Sequence, residues 1–157
     1  MWRLSTWLVN QVASRAYRVV SEELGRRGAH TSHFAILSAL EEFGSSSQAT
    51  LVRRLGIDRS DMVAALDFLE KRGLVTRAQD PADRRRNTVE LTSKGRRELA
   101  RLVELVDTAQ ERVFSVLSPR ERADLLALLL RVFEQHTQWH PPPHLSPPGE
   151  RAAPRGR

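Results

Sequence analysis

No cysteine occurs among the 157 residues, and lysine is nearly absent: of 25 basic residues only Lys71 and Lys94 are lysines. The first absence excludes a disulfide framework, a thiolate metal site and a thiol redox switch, and it fits an intracellular home. Long apolar runs are missing too. The most apolar stretch, ADLLALLLRVF (123–133), contains Asp124 and Arg131 and falls short of the roughly 20 residues of a spanning helix. The N-terminal stretch interrupts itself with Asn10, Gln11, Ser14 and Arg15, so it offers no apolar signal-peptide core. A soluble cytoplasmic protein without a membrane partner is expected. Enzyme hallmarks are equally scarce: no glycine-rich phosphate loop, no meaningful Ser/His/Asp order, and no paired acids outside helix surfaces. No catalytic residue and no cofactor is therefore assigned.

What the chain does have is positive charge. Its 25 Lys+Arg against 19 Asp+Glu give a formal +6, which favours a polyanionic partner. An arginine-rich gene composition would produce the same total, so the positions of the arginines must decide. Three of them stand together in DPADRRRNTVELTSKG (80–95). Like charges on one loop repel each other unless something outside the chain neutralises them.

Apolar residues between positions 2 and 24 fall on two neighbouring helical lines, Leu4, Leu8, Val12 and Ala16 beside Val9, Ala13 and Tyr17, which predicts a helix buried on more than one side. GRRG (25–28) ends it. Thr31 can cap a second helix with the stripe Phe34, Leu37, Leu40 and Phe43. SSSQ (45–48) supplies caps for a short helix closed by Gly56. Asp58 and Asp61 then stand like a capping box before Met62, Val63, Leu66 and Leu69. Two short helices about a Gly-Ile turn form a helix-turn-helix pattern, about 47–73. From Leu74 the period shortens to that of strands, and a long basic connection before Thr88 to Leu91 makes a wing, about 74–92. Thr92 can cap a long helix with Leu99, Leu102, Val103, Val106, Val113 and Val116 inside. SPRE (118–121) starts a last helix with almost no polar face, which a second copy of the chain would cover. A single domain, 1–139, is predicted, mainly α with a two-stranded β wing, its outer helices (about 2–25 and 93–137) serving dimerisation. A Pro/Arg-rich tail (140–157) is expected to be disordered.

In this order of elements the chain closely resembles the MarR family of bacterial winged-helix regulators over about residues 30–135. LEKRGLVTR (69–77) and the wing segment carry the resemblance. The family's wing signature is an aspartate and an arginine two apart, a strand ending Leu-Thr, then two residues and a glycine. Asp83, Arg85, Leu91, Thr92 and Gly95 meet it. The resemblance implies a homodimer that represses transcription at a pseudo-palindromic operator in double-stranded DNA, released by a small, often aromatic or phenolic, effector.

Helix-turn-helix proteins set the start of their second helix against base edges. Those residues are Arg59, Ser60 and Asp61, with Ala64 and Ala65 a turn further on. Arg59 suits guanine, Asp61 a cytosine amino group, and Ala64 or Ala65 a thymine methyl; Asp61 has a second reading as a cap. By resemblance Arg85 enters the minor groove while Asp83 steadies the loop by pairing with an arginine such as Arg77. Arg84, Arg86, Arg96 and Arg97 read as phosphate contacts, as do Ser47, Gln48 and Thr50 at a helix N-terminus. The segment DMVAALDF (61–68) departs from the family's commoner polar pattern, so base readout should be sparse and readout of DNA shape by the wing more important. Candidate effector-pocket residues are Trp7, Arg15, His30, His33 and Phe34. No metal site is assigned: Pro141 to Pro143 break the spacing of His136, His140 and His144, and carboxylates are not clustered near them. An architectural DNA-binding protein or a protein-interaction adaptor without an effector are the competing readings.

Overall fold

The computed structural model describes residues 4–79 and 87–136. The wing-tip residues Asp83, Arg84, Arg85 and Arg86 and the tail 140–157 lie outside the described residues. In chain order the elements are α1 (Ser5–Gly25), α2 (Thr31–Phe43), β1 (Ser46–Ser47), α3 (Gln48–Leu55), α4 (Arg59–Lys71), β2 (Val75–Gln79), β3 (Asn87–Leu91), α5 (Ser93–Val113) and α6 (Pro119–His136). The chain divides after Val113 into two compact units, and α6 belongs to the second. The fold is the mainly helical winged helix-turn-helix that the sequence predicts.

The core of the first unit gathers the apolar stripes into one cluster. Ile36, Leu37 and Leu40 of α2 meet Leu51 of α3, Met62, Leu66 and Leu69 of α4, Val75 and Val89 of the sheet, and Leu99 and Leu102 of α5. Each such burial contributes about 1.5–3 kcal/mol, so the two helices of the helix-turn-helix are packed against α2 along their buried sides. Gly56 makes their corner at φ 63°, a left-handed conformation that other residues adopt only at a cost.

The sheet has three strands in the order β1-β3-β2, all antiparallel, with Ser46 opposite Val89 and Arg77 also opposite Val89 from the other side. The two wing strands are as expected, each reaching one residue further, to Gln79 and Asn87. The third strand is an addition: β1 is only two residues long, too short to carry a periodic signal.

Three local expectations are corrected. α2 is capped by His30 rather than Thr31: the His30 backbone N–H donates to His33 Nδ1 at 3.1 Å, while the Thr31 hydroxyl bonds the Tyr17 hydroxyl at 2.9 Å. On α1 only Glu23 and Leu24 are buried, and Leu8, Val9 and Val12, like Leu4 just before it, stand exposed, because α5 and α2 cover only part of the helix. On α5, Leu99 and Leu102 are buried as expected, but Val103 is exposed and the helix stops at Val113, leaving Val116 outside it and open to solvent.

In the second unit, α6 begins as SPRE predicts. Ser118 donates to Glu121 Oε2 from both its backbone N–H (2.8 Å) and its hydroxyl (2.7 Å), and these bonds hold the Glu121 carboxyl below the usual carboxylate range. Leu126, Leu128, Leu129, Val132 and Phe133 are exposed along it. No helix among the described residues is long and apolar enough to cross a membrane.

Candidate nucleic-acid interface

Ser47 is both the last residue of β1 and the N-cap of α3, which fixes the start of that helix beside wing strand β3. Its hydroxyl accepts from the Thr50 N–H at 3.2 Å and bonds the Thr50 hydroxyl at 2.9 Å. Gln48 and Arg59, eleven residues apart in sequence, line one small cleft of about 320 Å³ with Ala49 and Val52. The structure therefore brings the predicted contacts on α3 and α4 together.

At the head of α4, Asp58 alone supplies the cap. Its Oδ1 accepts from the Ser60 N–H at 2.8 Å and from the Ser60 hydroxyl at 2.5 Å, and these bonds hold its carboxyl below the usual range. The Asp61 backbone N–H also faces the Asp58 carboxylate, but the Asp61 side chain is exposed and does not return a bond to the Asp58 backbone among the described residues, so the capping-box reading of Asp61 does not hold. Arg59, Ser60 and Ala64 are exposed as well. Ala65 is corrected: it is only 4% exposed and belongs to the core, because it lies on the side of the helix shared by Met62, Leu66 and Leu69.

The wing is tied to this helix. Arg77 on β2 donates from Nη2 to Asp67 Oδ1 at 2.6 Å and reaches Glu70 Oε2 with Nη1 at 3.4 Å, both acids being on α4. Lys94 donates to the Arg72 carbonyl at 2.7 Å, which joins the start of α5 to the end of α4. Arg96 is not a loose cation: its guanidinium pairs with Glu41 of α2. Arg97 is exposed and has no partner among the described residues.

Of the five effector candidates, the structure brings two together. A cleft of about 680 Å³ opens between the start of α2 and the flank of α4, lined by His30, His33, Tyr17, Asp61, Ala64 and Phe68 among others. The His33 ring stacks on Phe68 with centroids 4.2 Å apart and planes 6° from parallel, and the Arg72 guanidinium sits 4.9 Å from the same phenyl ring. Burial first, then the neighbouring His30 and Arg72, push the His33 pKa down to about 4, so its ring is neutral at physiological pH. Trp7, Arg15 and Phe34 do not line the cleft. Arg15 bonds Gln11 Oε1 on its own helix at 3.1 Å, and Phe34 packs against the core.

The family pattern described as MarR family matches residues 27–86. The chain is 32% identical over 132 residues to the uncharacterized helix-turn-helix-type transcriptional regulator YkoM of Bacillus subtilis (strain 168), covering 80% of this chain and 86% of that one. This chain belongs to the MarR family. It is likewise similar to another regulator, the transcriptional repressor NicR of Pseudomonas putida, at 33% identity over 101 residues. That match spans 64% of this chain and 64%, just under two thirds, of NicR. Among solved structures, Bordetella bronchiseptica BpsR, whose DNA binding is regulated by 6-hydroxynicotinic acid, superimposes with a TM-score of 0.73 at 25% identity. The match covers 84% of this chain and 94% of BpsR. As a MarR-family protein the chain is a DNA-binding transcriptional regulator.

Four further cations of this MarR-family chain were not among the expected DNA contacts. Arg53 and Arg54 close α3, where Arg54 lies 3.8 Å over the Phe43 ring; Lys71 closes α4, and Lys94 follows the wing. Helical spacing could have found Lys71, which falls eleven residues after Ser60 and so on the same face. Tyr17 was read only as part of an apolar line, yet its hydroxyl faces α2.

Proposed function

We propose that the protein is a homodimeric, sequence-specific repressor of transcription. It sets α4 of each protomer in a major groove and each wing in the adjacent minor groove of a pseudo-palindromic operator, and a small aromatic effector releases it. The observation that carries this reading is the double use of α4. The helix presents Arg59, Ser60 and Val63 to the exterior, and its flank, through Asp61, Ala64 and Phe68, forms a wall of the 680 Å³ cleft. A body seated in the cleft bears directly on the helix that reads DNA, and this is the differential interaction a ligand needs in order to shift a binding equilibrium.

Each further part of the reading has its own support. In the first unit Leu4, Leu8, Val9 and Val12 at the start of α1 are exposed, and in the second unit Leu126, Leu129, Val132 and Phe133 of α6 are exposed; each apolar face is of the kind that a second copy of the chain would cover. Ser47, Gln48, Thr50 and Arg97 suit phosphate contacts, and Arg84, Arg85 and Arg86 take the wing roles that family membership gives them. The stacked His33–Phe68 pair suits a planar ligand. The regulation of BpsR by 6-hydroxynicotinic acid and the repressor role of NicR lend the effector and the sign of the response. On this reading the protein works in the cytoplasm, without a catalytic step, a cofactor or a metal.

The test is fluorescence anisotropy of the full chain on the DNA upstream of its own gene and on scrambled DNA of equal length, across a salt series. Preference for the native fragment is expected, with log affinity falling at about −0.9 per neutralised phosphate in log salt. Small aromatic acids are then titrated into the complex. Equal affinity for the two DNAs would replace the repressor by an architectural protein, and no binding at low salt would replace it by a protein adaptor.

A further inference from the structure

The recognition helix has an outward face whose middle is stripped of free hydrogen-bonding groups. Each residue of an α-helix turns the side chain by about 100°. The buried Met62, Ala65, Leu66 and Leu69 therefore fix the inward direction, and Ser60, Val63, Ala64, Asp67 and Lys71 point away from it. Two of these five are polar groups in or near the middle of the face, and both are already engaged. The Ser60 hydroxyl donates to Asp58 Oδ1 at 2.5 Å, and Asp67 Oδ1 accepts from Arg77 at 2.6 Å. Positive charge stands near the ends, on Arg59 and Lys71, and the remaining exposed acids, Asp61 and Glu70, lie on opposite flanks of the helix about 90° from the inward direction.

Between those ends the side chains without a hydrogen-bonding group are Val63 and Ala64. Val63 is 40% exposed and Ala64 is exposed beside it. Thymine is the one base whose major-groove edge carries an apolar group, the 5-methyl. A cytosine at the same place would turn its amino donor against side chains that cannot accept, and leaving a donor unpaired on burial is costly. The cations at both ends of the helix, with Arg53 and Arg54 on α3, supply the opposite charge for the phosphates that flank such a base.

We propose that Val63, assisted by Ala64, is the specificity-determining residue of the recognition helix and reads a thymine 5-methyl group in each operator half-site. This rests on the operator-reading role given to α4 above and adds to it the base and the chemical group recognised. Specificity then comes from methyl packing in the major groove, while Arg77 keeps the Asp67 carboxylate occupied and so reduces its repulsion of the DNA.

The experiment starts from duplexes selected by the full-length protein from a random pool, so that no operator need be known beforehand. In the selected duplex each thymine is replaced in turn by deoxyuridine, which removes only the methyl group, and affinity is measured by fluorescence anisotropy at one salt concentration. Loss of one buried methyl predicts a weakening of about fourfold at one thymine per half-site. Val63→Ala, which removes both γ-methyl groups at an exposed position, is expected to bind the thymine duplex several-fold more weakly and to lose little further on the deoxyuridine duplex. Cytosine at that position should bind more weakly than deoxyuridine, and 5-methylcytosine should recover part of the loss. A scan flat to within twofold at every thymine overturns the proposal, and it needs no variant to be folded. The proposal also fails if folded Val63→Ala keeps the full deoxyuridine penalty. Selective binding with a flat scan overturns this inference alone, whereas a pool that yields no preferred sequence overturns the operator-reading role together with it.

Discussion

Replacing Gly95 by alanine sets two effects of opposite sign against each other. Within a helix, alanine in place of glycine gains up to about 1 kcal/mol from backbone propensity, and Gly95 lies in the first turn of α5. The added Cβ, however, would sit 2.1 Å from the Leu74 carbonyl oxygen and 2.6 Å from Leu91 Cδ1. The Leu91 side chain can rotate aside. The Leu74 carbonyl is held, because it accepts from both the backbone N–H and the hydroxyl of Thr92, each at 3.1 Å. Relief therefore needs a shift of more than about 1 Å in the segment joining α4 to β2. Overpacking of this kind costs about 1–3 kcal/mol, and each hydrogen bond weakened by the shift adds about 1 kcal/mol. The steric cost wins, and Gly95→Ala is expected to destabilise by about 2–4 kcal/mol, or roughly 5–15 °C in melting temperature for a chain of this size. Circular-dichroism melts and urea titrations of parent and variant measure it. A variant that melts within about 2 °C of the parent, or above it, refutes the reasoning, and Gly95 would then be a matter of ancestry rather than of packing.

The buried Glu23 carboxylate accepts from Arg26 at 2.8 Å and meets the Arg112 guanidinium, tying α1 to α5. Both arginines reach water, so Glu23→Ala should cost only about 1–2 kcal/mol, and an unchanged urea midpoint would remove this tie from the account. His33 is protonated near its ordinary 6.5 in the unfolded chain but only near 4 in the folded one. Its contribution to stability is therefore complete above pH 6.5 and is lost as the pH falls towards 4, by about 1–2 kcal/mol after allowance for solvent screening. His33→Asn should flatten the melting temperature across that window; a slope that persists belongs to another group. Arg85→Ala is expected to weaken operator binding by about tenfold or more while leaving the mass of the dimer unchanged in sedimentation. Parent-like affinity would show that the wing assignment of Arg85 is wrong.

Long periodic segments were legible from the sequence because burial repeats along them. Leu37 and Leu40 of α2, Met62, Leu66 and Leu69 of α4, and Leu99 and Leu102 of α5 all lie in the core that their spacing predicts. Spacing alone does not say what covers an apolar line, and so α1 read as buried although Leu4, Leu8, Val9 and Val12 face outward in the single chain. Neighbouring residues are the other weak point. Ala64 and Ala65 are interchangeable in composition, yet one is exposed and the other in the core, a difference of 100° that depends on the phase of the helix. Interactions between residues distant in sequence left no local trace: Arg96 with Glu41, 55 residues away, and Arg77 with Asp67 on a different element. The wing signature was legible for a stereochemical reason. Thr92 caps α5 through the Gly95 N–H at 2.9 Å, and Gly95 leaves room for the Leu74 carbonyl, so both residues are dictated by a single close approach.

On the proposed reading, the leverage of an effector follows from how little α4 has to move. Phe68 is the joint: its ring is stacked on His33 and neighboured by Arg72, and it lies on the flank of the helix whose outward face carries Val63 and Ala64. The buried residues Met62, Leu66 and Leu69 hold that helix to α2 and the sheet, so a ligand that parts His33 from Phe68 displaces α4 as a rigid rod instead of bending it. In a dimer each rod must meet its own half-site at fixed spacing, and misplacing one affects both. A tenfold loss of operator affinity corresponds to about 1.4 kcal/mol. That is less than two methyl contacts at about 0.8 kcal/mol each. A helix that reads its operator through methyl groups, which demand van der Waals contact and forgive no gap, would thus be released by a shift too small to disturb its own core.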